Sequence, residues 1–262
     1  MGKTLLTGHK GDIGSILFDL YTKSNQEIEP LDVKVDRPAK RIIHLAARTP
    51  PASTQMMLDS NIFYLQEVIK YAVRNGAKEL IFFSTISVYG KQDKEDVGED
   101  EKPCDPDLYG LTKLIGEKLL QDSQLNVLCL RLPAILGNRN TTSFMSRCFE
   151  TLKNNEALEI SNAHRTYNNF ISAENLFEFL EKVEISRKFD VVNLASKKEK
   201  TVLEIAETIK GALNSKSDIM VADKKRGFFN ISTRKAENEY GFVPYGTKNS
   251  LNSWVRQRTN KC

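Results

Sequence analysis

The sequence predicts a doubly wound α/β fold, a parallel sheet with helices on both faces. Three observations predict it. From Lys3 to Leu136, short apolar runs alternate with stretches of helical periodicity in the order β-α-β-α-β-α-β. A glycine cluster, Gly8-His9-Lys10-Gly11-Asp12-Ile13-Gly14, follows the first run and opens the first helical stretch. Residues suited to ligands (Gly8–Gly14, Ala46–Ala47, Thr85–Ser87 and Pro133) all fall just past apolar runs, the edge where such sheets bind ligands.

Lys3–Thr7 reads as the first strand and Ser15–Tyr21 as part of the first helix, with apolar Ile16, Leu17 and Leu20. In the GxxGxxG between them, the first glycine would make the tight turn. The second would let the backbone approach a pyrophosphate at the helix N-terminus, and the third would let helix and strand pack closely. The stretch before Ile42 is short, and Pro30 and Pro38 interrupt it. The second crossover helix is therefore expected to be shortened or missing. Glu27, Glu29 and Asp32 are candidates for the acid that holds an adenosine ribose. Lys10, Lys34, Arg37 and Arg41 could instead meet a 2′-phosphate, which favours NADP slightly over NAD.

Arg41–Ala47 is expected to be a buried strand, ending in small residues against which a cofactor can lie. Ser53–Asn75 is expected to be one long helix closed by Gly76, with Asn61 polar within it. Leu80–Phe83 reads as a buried strand, Thr85 and Ser87 sit where it stops, and Gly90 closes the turn. Lys91–Lys102 is an acidic hydrophilic insert. Asp105, Pro106 and Asp107 supply an N-cap, a first residue and a first-turn acid for the next helix. Asn126–Leu136 is the next strand. The later half reads as helix Ser143–Lys153, strand Thr166–Ser172 and helix Ala173–Val183, with Val191–Ala195 returning to the main sheet. Helix Thr201–Leu213, strand Ile219–Ala222 and helices around Arg234–Tyr240 and Asn249–Arg258 follow.

Tyr109 and Lys113, four residues apart, share one face of the helix after the insert. A phenol has a pKa near ~10 in water, and an ammonium one turn away is expected to lower it. A strand-end hydroxyl could hold a carbonyl or alcohol oxygen beside the phenol. Together they make a proton-transfer site for carbinol–carbonyl chemistry. The alternative is a surface Tyr and a solvated Lys.

Composition narrows the classes. The 262 residues carry a mild net charge of +4, and the basic clusters Lys197–Lys200 and Lys224–Arg226 lack interleaved aromatics. Nucleic-acid binding is not expected. No apolar run approaches the roughly 20 residues needed to span a bilayer, and MGKTLLTG enters a strand directly. Cys104, Cys129, Cys148 and Cys262 have no paired spacing and read as free thiols in the cytoplasm. His9, His44 and His164 are too scattered for a metal site.

With TGHKGDIG, HLAA, FSTISVYG and YGLTK in this order and spacing, the chain resembles the extended short-chain dehydrogenase/reductases. More closely, it is similar to the NAD-dependent epimerase/dehydratase family acting on nucleotide sugars. The resemblance implies a Rossmann domain, residues 1–137 with 166–200 returning to it in part. A small C-terminal α/β substrate domain would fill 138–262, and a homodimer would form on the two central helices. It places Thr85 and Tyr109 at the catalytic centre and Lys113 on the nicotinamide ribose. Gly8–Gly14 would cradle the pyrophosphate. Asp32-Val33 would meet the adenine, and Leu45, Ala46, Ala47, Asn61, Ser84 and Pro133 would line the cofactor. Ser87, Asn168, Asn169 and Arg226 would meet the nucleotide-sugar substrate.

Departures from the family pattern refine this. Dehydratases carry Asp-Glu after the catalytic Thr, whereas Ile86 and Ser87 stand here, so dehydration is not expected. The GHKG loop resembles the GHRG loop of NADPH-dependent 4-keto reductases in the family. Ala134 replaces the usual Asn after the Arg131 strand. The expected activity is NAD(P)-dependent reduction of a 4-keto nucleotide sugar, giving a deoxy sugar for surface polysaccharide. A 4-epimerase would use the same residues. A non-catalytic NAD(P)-binding regulator is the alternative of another class.

Overall fold

The computed structural model describes residues 3–138, 143–223 and 227–259. The chain opens with β1 (Lys3–Thr7), α1 (Asp12–Lys23), β2 (Ile28–Pro30) and β3 (Ala39–His44). It continues through α2 (Thr54–Leu58), a π-helical turn (Asp59–Phe63), α3 (Tyr64–Arg74), β4 (Glu79–Thr85) and a 3₁₀ turn (Ile86–Tyr89). Then come β5 (Asp96–Val97), α4 (Leu108–Gln121), β6 (Asn126–Leu132), β7 (Ala134–Leu136), α5 (Phe144–Lys153), β8 (Leu158–Ile160) and β9 (Phe170–Ser172). The last elements are α6 (Ala173–Lys182), β10 (Phe189–Asn193), α7 (Val202–Leu213), β11 (Ile219–Val221), β12 (Asn230–Ile231), α8 (Arg234–Tyr240) and α9 (Thr247–Thr259).

Six of these strands form one parallel sheet in the order β10-β6-β4-β3-β1-β2. The central strands are buried on both faces, as their unbroken apolar runs require. Leu6, Ile43, Ile81 and Leu128 pack on the face that meets Leu17 of α1 and Phe179 of α6. Leu5, Ile42, Leu80 and Val127 pack on the other, against Leu65 and Val68 of α3 and Leu120 of α4. A separate cluster joins Phe149 of α5, Ile205 of α7 and Trp254 of α9.

The expected loss of a crossover helix goes further than expected. No helix lies between β2 and β3, and the third strand of a full first half is missing too. The chain leaves β2 at the sheet edge and returns past β1 to β3. This makes the junction of β1 and β3 the point where strand order reverses, the usual ligand crevice of such sheets.

Several boundaries differ from expectation for identifiable reasons. The strand expected over Arg41–Ala47 stops at His44. There Leu45 and Ala46 turn their N–H groups onto the Thr7 side chain instead of a neighbouring strand. The strand expected over Asn126–Leu136 is two strands, because Pro133 has no N–H to continue the ladder. β6 ends beside β4 at Leu132, and β7 pairs with β9, which is itself shorter than Thr166–Ser172. The helix over Ser53–Asn75 is interrupted by the π turn around buried Asn61. The N-cap of α4 is Asp107, whose carboxylate accepts the Gly110 N–H at 2.7 Å. Asp105 instead takes a positive φ of 48° and pairs with Lys91. The acidic insert is not merely hydrophilic, since β5 within it pairs with β12.

Candidate active site

The glycine turn leaves β1 at Gly8, whose φ of +72° suits a residue without a side chain. A Cβ there would lie 2.9 Å from the Ala46 nitrogen, and one on Gly14 would lie 2.0 Å from the Gly8 oxygen. The Gly11 N–H closes the turn on that same oxygen at 2.9 Å. Helix α1 then starts with no side-chain cap on its first amides, which leaves an anion-seeking end at the crevice. His9 lies beside Phe18, Ile13 packs on the core, and Lys10 is exposed. The Asp12 carboxylate accepts the Asn138 N–H at 3.1 Å.

Across the crevice, Leu45 and Ala46 are pinned to Thr7 Oγ1 at 3.1 Å each, with half-buried Ala47 following. Beyond β2, Val33 packs against the core, and exposed Asp32 accepts the Lys34 N–H at 3.0 Å. The charges around β2 sort themselves. Glu29 pairs with Lys3 and Arg37, and Arg41 binds Glu79 at 2.7 Å and the Val183 carbonyl at 3.1 Å. Arg37 and Arg41 are thus engaged elsewhere. Lys10 in the glycine turn and Lys34 in the loop after β2 remain exposed.

Thr85 is buried at the end of β4 and accepts the Ser87 N–H at 3.2 Å, while its own hydroxyl faces Ser87 Oγ at 3.3 Å. Tyr109 reaches it from α4. Burial pushes the Tyr109 phenol up to about 12, the Asp107 charge adds to the rise, and interaction with Thr85 partly offsets it. Lys113 is buried, with its ammonium 4.3 Å from the centre of the Phe82 ring. It makes no hydrogen bond or ion pair among the described residues. Burial pushes it down to about 7, with nearby Cys129 and Glu117 opposing. The expected acidification of the phenol by Lys113 is therefore corrected. Both groups pack against the sheet, and desolvation favours their neutral forms.

Other residues brace this centre. Asn61 accepts the Arg48 N–H at 2.8 Å, donates to the Arg48 carbonyl at 3.0 Å, and donates to Thr112 Oγ1 at 3.0 Å. Thr112 in turn donates to the Tyr109 carbonyl at 2.8 Å. Asn61 thus ties the loop after β3 to the backbone of Tyr109. Ser84 donates to Glu117 Oε1 at 2.5 Å, so its hydroxyl is engaged beneath α4. Glu117 also holds Arg131 through two hydrogen bonds of 3.1 and 2.8 Å. Arg131 lies over the Tyr89 ring, whose hydroxyl donates to Asn193 Oδ1 at 2.7 Å. Sequence reasoning missed Glu117, Arg131 and Asn193. The spacing Tyr109, Lys113, Glu117 was the available signal, since all three share one helical stripe.

Of the expected substrate residues, Ser87 is half-buried beside Thr85. Asn168 is committed to Ile231 through both ends of its amide at 2.9 Å. Asn169 donates to the Phe229 carbonyl at 2.8 Å, and its buried Oδ1 has no partner among the described residues. Arg226 lies outside the described residues. Pro133 is buried at the end of β6. Near Asn169, the half-buried rings of Phe144, Tyr167 and Phe228 meet edge to face. Arg165 lies 4.3 Å over Phe228, a cation-aromatic group that sequence reasoning also missed.

A dinucleotide fits this crevice on three observations: the glycine contacts that no Cβ could enter, the α1 amides without a side-chain cap, and a buried Lys113 amine with no hydrogen-bonding partner among the described residues. Among the described residues no group of His, Cys, Asp and Glu could hold a metal, and no helix is long and apolar enough to cross a membrane. The model of the NAD dependent epimerase/dehydratase family matches residues 33–183. The chain belongs to this family of enzymes. Its fold is similar to that of the UDP-glucuronic acid 4-epimerase from Bacillus cereus in complex with NAD. That match has 20% identity and TM-score 0.80, covering 97% of this chain and 99% of that one. RMD from Pseudomonas aeruginosa complexed with NADPH matches at 18% identity and TM-score 0.81, covering 99% of this chain and 100% of that one. WbmG from Bordetella bronchiseptica in complex with NAD and UDP matches at 18% and 0.81, covering 99% and 95%. At these identities the likeness is one of fold. No curated protein matches the chain. For this family member, the matched segment begins after the glycine turn and includes Thr85, Tyr109 and Lys113.

Proposed function

We propose that the protein is an NAD(P)-dependent reductase of a 4-keto nucleotide sugar. The observation that carries this reading is the meeting of Thr85 with a protonated Tyr109 phenol, on a helix whose buried Lys113 has no hydrogen-bonding partner among the described residues. A ketone needs a proton donor at its oxygen, and a phenol raised to about 12 is in the donor form at neutral pH. Thr85 holds the carbonyl oxygen, Tyr109 gives it a proton, and Lys113 receives the nicotinamide ribose. When bound, the nicotinamide supplies the hydride. Gly8–Gly14 seat the pyrophosphate, and Leu45–Ala47, Asn61 and Pro133 bound the cofactor.

NADP is favoured because Lys10 of the glycine turn and Lys34 of the loop after β2 stay exposed, although Arg37 and Arg41 no longer support it. For the substrate, Asn169 Oδ1 offers an acceptor and Phe144, Tyr167, Phe228 and Arg165 offer flat faces and a cation to a nucleoside diphosphate. We place the cofactor domain at 1–137 with part of 166–200, and the substrate domain in 138–262. Phe63, Leu108, Leu111 and Ile115 are exposed apolar residues around α3 and α4, which a second copy would cover. The free thiols of Cys104, Cys129 and Cys148 accord with a cytoplasmic enzyme.

The test is a panel of 4-keto nucleotide sugars incubated with NADH and NADPH. Stoichiometric consumption of reduced cofactor with one of them is expected. A 4-epimerase would use the same three residues in both directions, keeping its cofactor through gel filtration with no net consumption. Binding of NAD(P) with no turnover of any sugar would favour a regulator.

A further inference from the structure

His44 ends β3 in register with Thr7 of β1 on one side and Phe82 of β4 on the other. Its ring is fully buried and stacks on Phe82, with interplanar angle 8°. Its Nδ1 lies 2.9 Å from Thr7 Oγ1. Its Nε2 is buried and has no partner among the described residues.

The hydrogen-bond count at Thr7 determines the proton's place. A threonine hydroxyl offers one O–H and two lone pairs. The N–H groups of Leu45 and Ala46 take both lone pairs, at 3.1 Å each. The hydroxyl proton is left for His44, so Nδ1 must accept and Nε2 must carry the ring hydrogen. A doubly protonated ring would aim an N–H at an oxygen with nothing left to give. Burial and the Lys113 charge agree, holding the imidazole near 3 and therefore neutral. The Nε2–H is left unpaired among aromatic rings. A phenyl ring would fill the same space without that defect, so packing alone gives no reason for a histidine here.

The amides that Thr7 holds belong to the wall that faces the glycine turn. A Cβ on Gly8 would be 2.9 Å from the Ala46 nitrogen and 3.3 Å from the Leu45 carbonyl carbon. The two sides of the crevice thus touch at the peptide that Thr7 grips.

We propose that His44 is a positioning residue for the dinucleotide: by accepting the Thr7 proton it turns both Thr7 lone pairs onto Leu45 and Ala46 and sets the width of the crevice. This rests on the reading that a dinucleotide binds there.

The test has two parts. Nitrogen-15 NMR of the ligand-free protein reads the tautomer directly. Protonated Nε2 with bare Nδ1 is expected, and protonated Nδ1 overturns the proposal. Calorimetry then measures NADH and NADPH binding to His44→Phe, His44→Asn, Thr7→Val and the double variant His44→Phe/Thr7→Val. Loss of the Thr7–His44 hydrogen bond should weaken binding about tenfold in His44→Phe, and loss of all three Thr7 hydrogen bonds should weaken it at least as much in Thr7→Val. The double variant should be no weaker than Thr7→Val. His44→Asn, whose carbonyl oxygen can stand in for Nδ1, should recover most of the affinity. Wild-type affinity in His44→Phe, multiplying losses in the double variant, or failure of Asn to rescue overturns the proposal. If the Phe variant does not fold, weak binding by Thr7→Val with near-normal binding by His44→Asn sustains it, and any other pair of results ends it. Failure of the wild-type chain to bind either cofactor strikes instead at the proposed function.

Discussion

Replacing Lys113 by methionine should stabilise the ligand-free protein while removing its capacity to hold the cofactor. Lys113 titrates near 10.5 when unfolded and about 7 when folded. At pH 7, folding must therefore strip or bury its proton at a cost of about 4 kcal/mol, from ~1.4 kcal/mol per pKa unit. The contact of the ammonium with Phe82 returns about 1 kcal/mol. Lys113→Met should thus gain about 3 kcal/mol at pH 7. The sign with pH follows from proton counting. Between pH 7 and 10.5 the unfolded chain binds more protons at this site, so wild-type stability rises with pH there. The penalty is complete below pH 7 and absent above 10.5. Methionine has no such slope, so its advantage should shrink by about 2 kcal/mol from pH 7 to pH 9. Urea unfolding of both proteins at the two pH values gives the difference. Saturating NADPH should raise the stability of wild type more than that of the variant. A variant less stable than wild type at pH 7, or a gap unchanged at pH 9, would refute the reasoning.

Other expected outcomes concern the neighbouring residues. Tyr109→Phe should lower keto-sugar turnover by roughly 10²-fold or more while leaving dinucleotide affinity within about threefold, read by cofactor absorbance and calorimetry. Equal turnover would exclude the phenol as proton donor. In Gly110→Ala, the new Cβ would start 2.3 Å from the Ser87 oxygen. Pushing α4 off the turn that carries Thr85 and Ser87 should cost roughly 10²-fold in turnover. Gly211→Ala, with nothing within 4 Å, should be stabilising by up to ~1 kcal/mol and serves as its control. Gly14→Ala should abolish the thermal shift on adding NADH or NADPH, since its Cβ falls 2.0 Å from the Gly8 oxygen. Leu111→Glu should leave the chain folded and monomeric in light scattering if a second copy covers α3 and α4.

The parts legible in the sequence are those set by local chemistry. The glycine turn, the buried strand before Thr85, and Tyr109 with Lys113 on one helical face were readable because glycine conformation, apolar runs and four-residue spacing act over a few residues. The direction of the Tyr109 shift was not readable. It depends on the burial of the phenol beside Thr85 at the end of β4, which only the fold brings about. Asn61 read as a polar residue on an ordinary helix, because nothing local announces the π turn that buries it. Arg37 and Arg41 read as phosphate ligands because their carboxylate partners come from the fold: Arg37 turns back from its loop onto Glu29 of β2, and Arg41 of β3 meets Glu79 on neighbouring β4.

The same long-range pairing explains why Lys113 is left without a partner. Lys113 and Arg131 are both buried near the carboxylate of Glu117. Arg131 takes that carboxylate with a two-pronged grip that a lysine cannot match, while Ser84 occupies one of its oxygens as well. The pair neutralises itself beneath α4 and fixes the helix against β4 and β6. Lys113, one turn nearer the crevice on the same stripe, is left with an aromatic ring for company. A fold selected for stability alone would place an apolar side chain there. Among the described residues no oxygen meets the Lys113 amine, and in the function proposed above a ribose seated by the glycine turn would present two hydroxyls of the required kind.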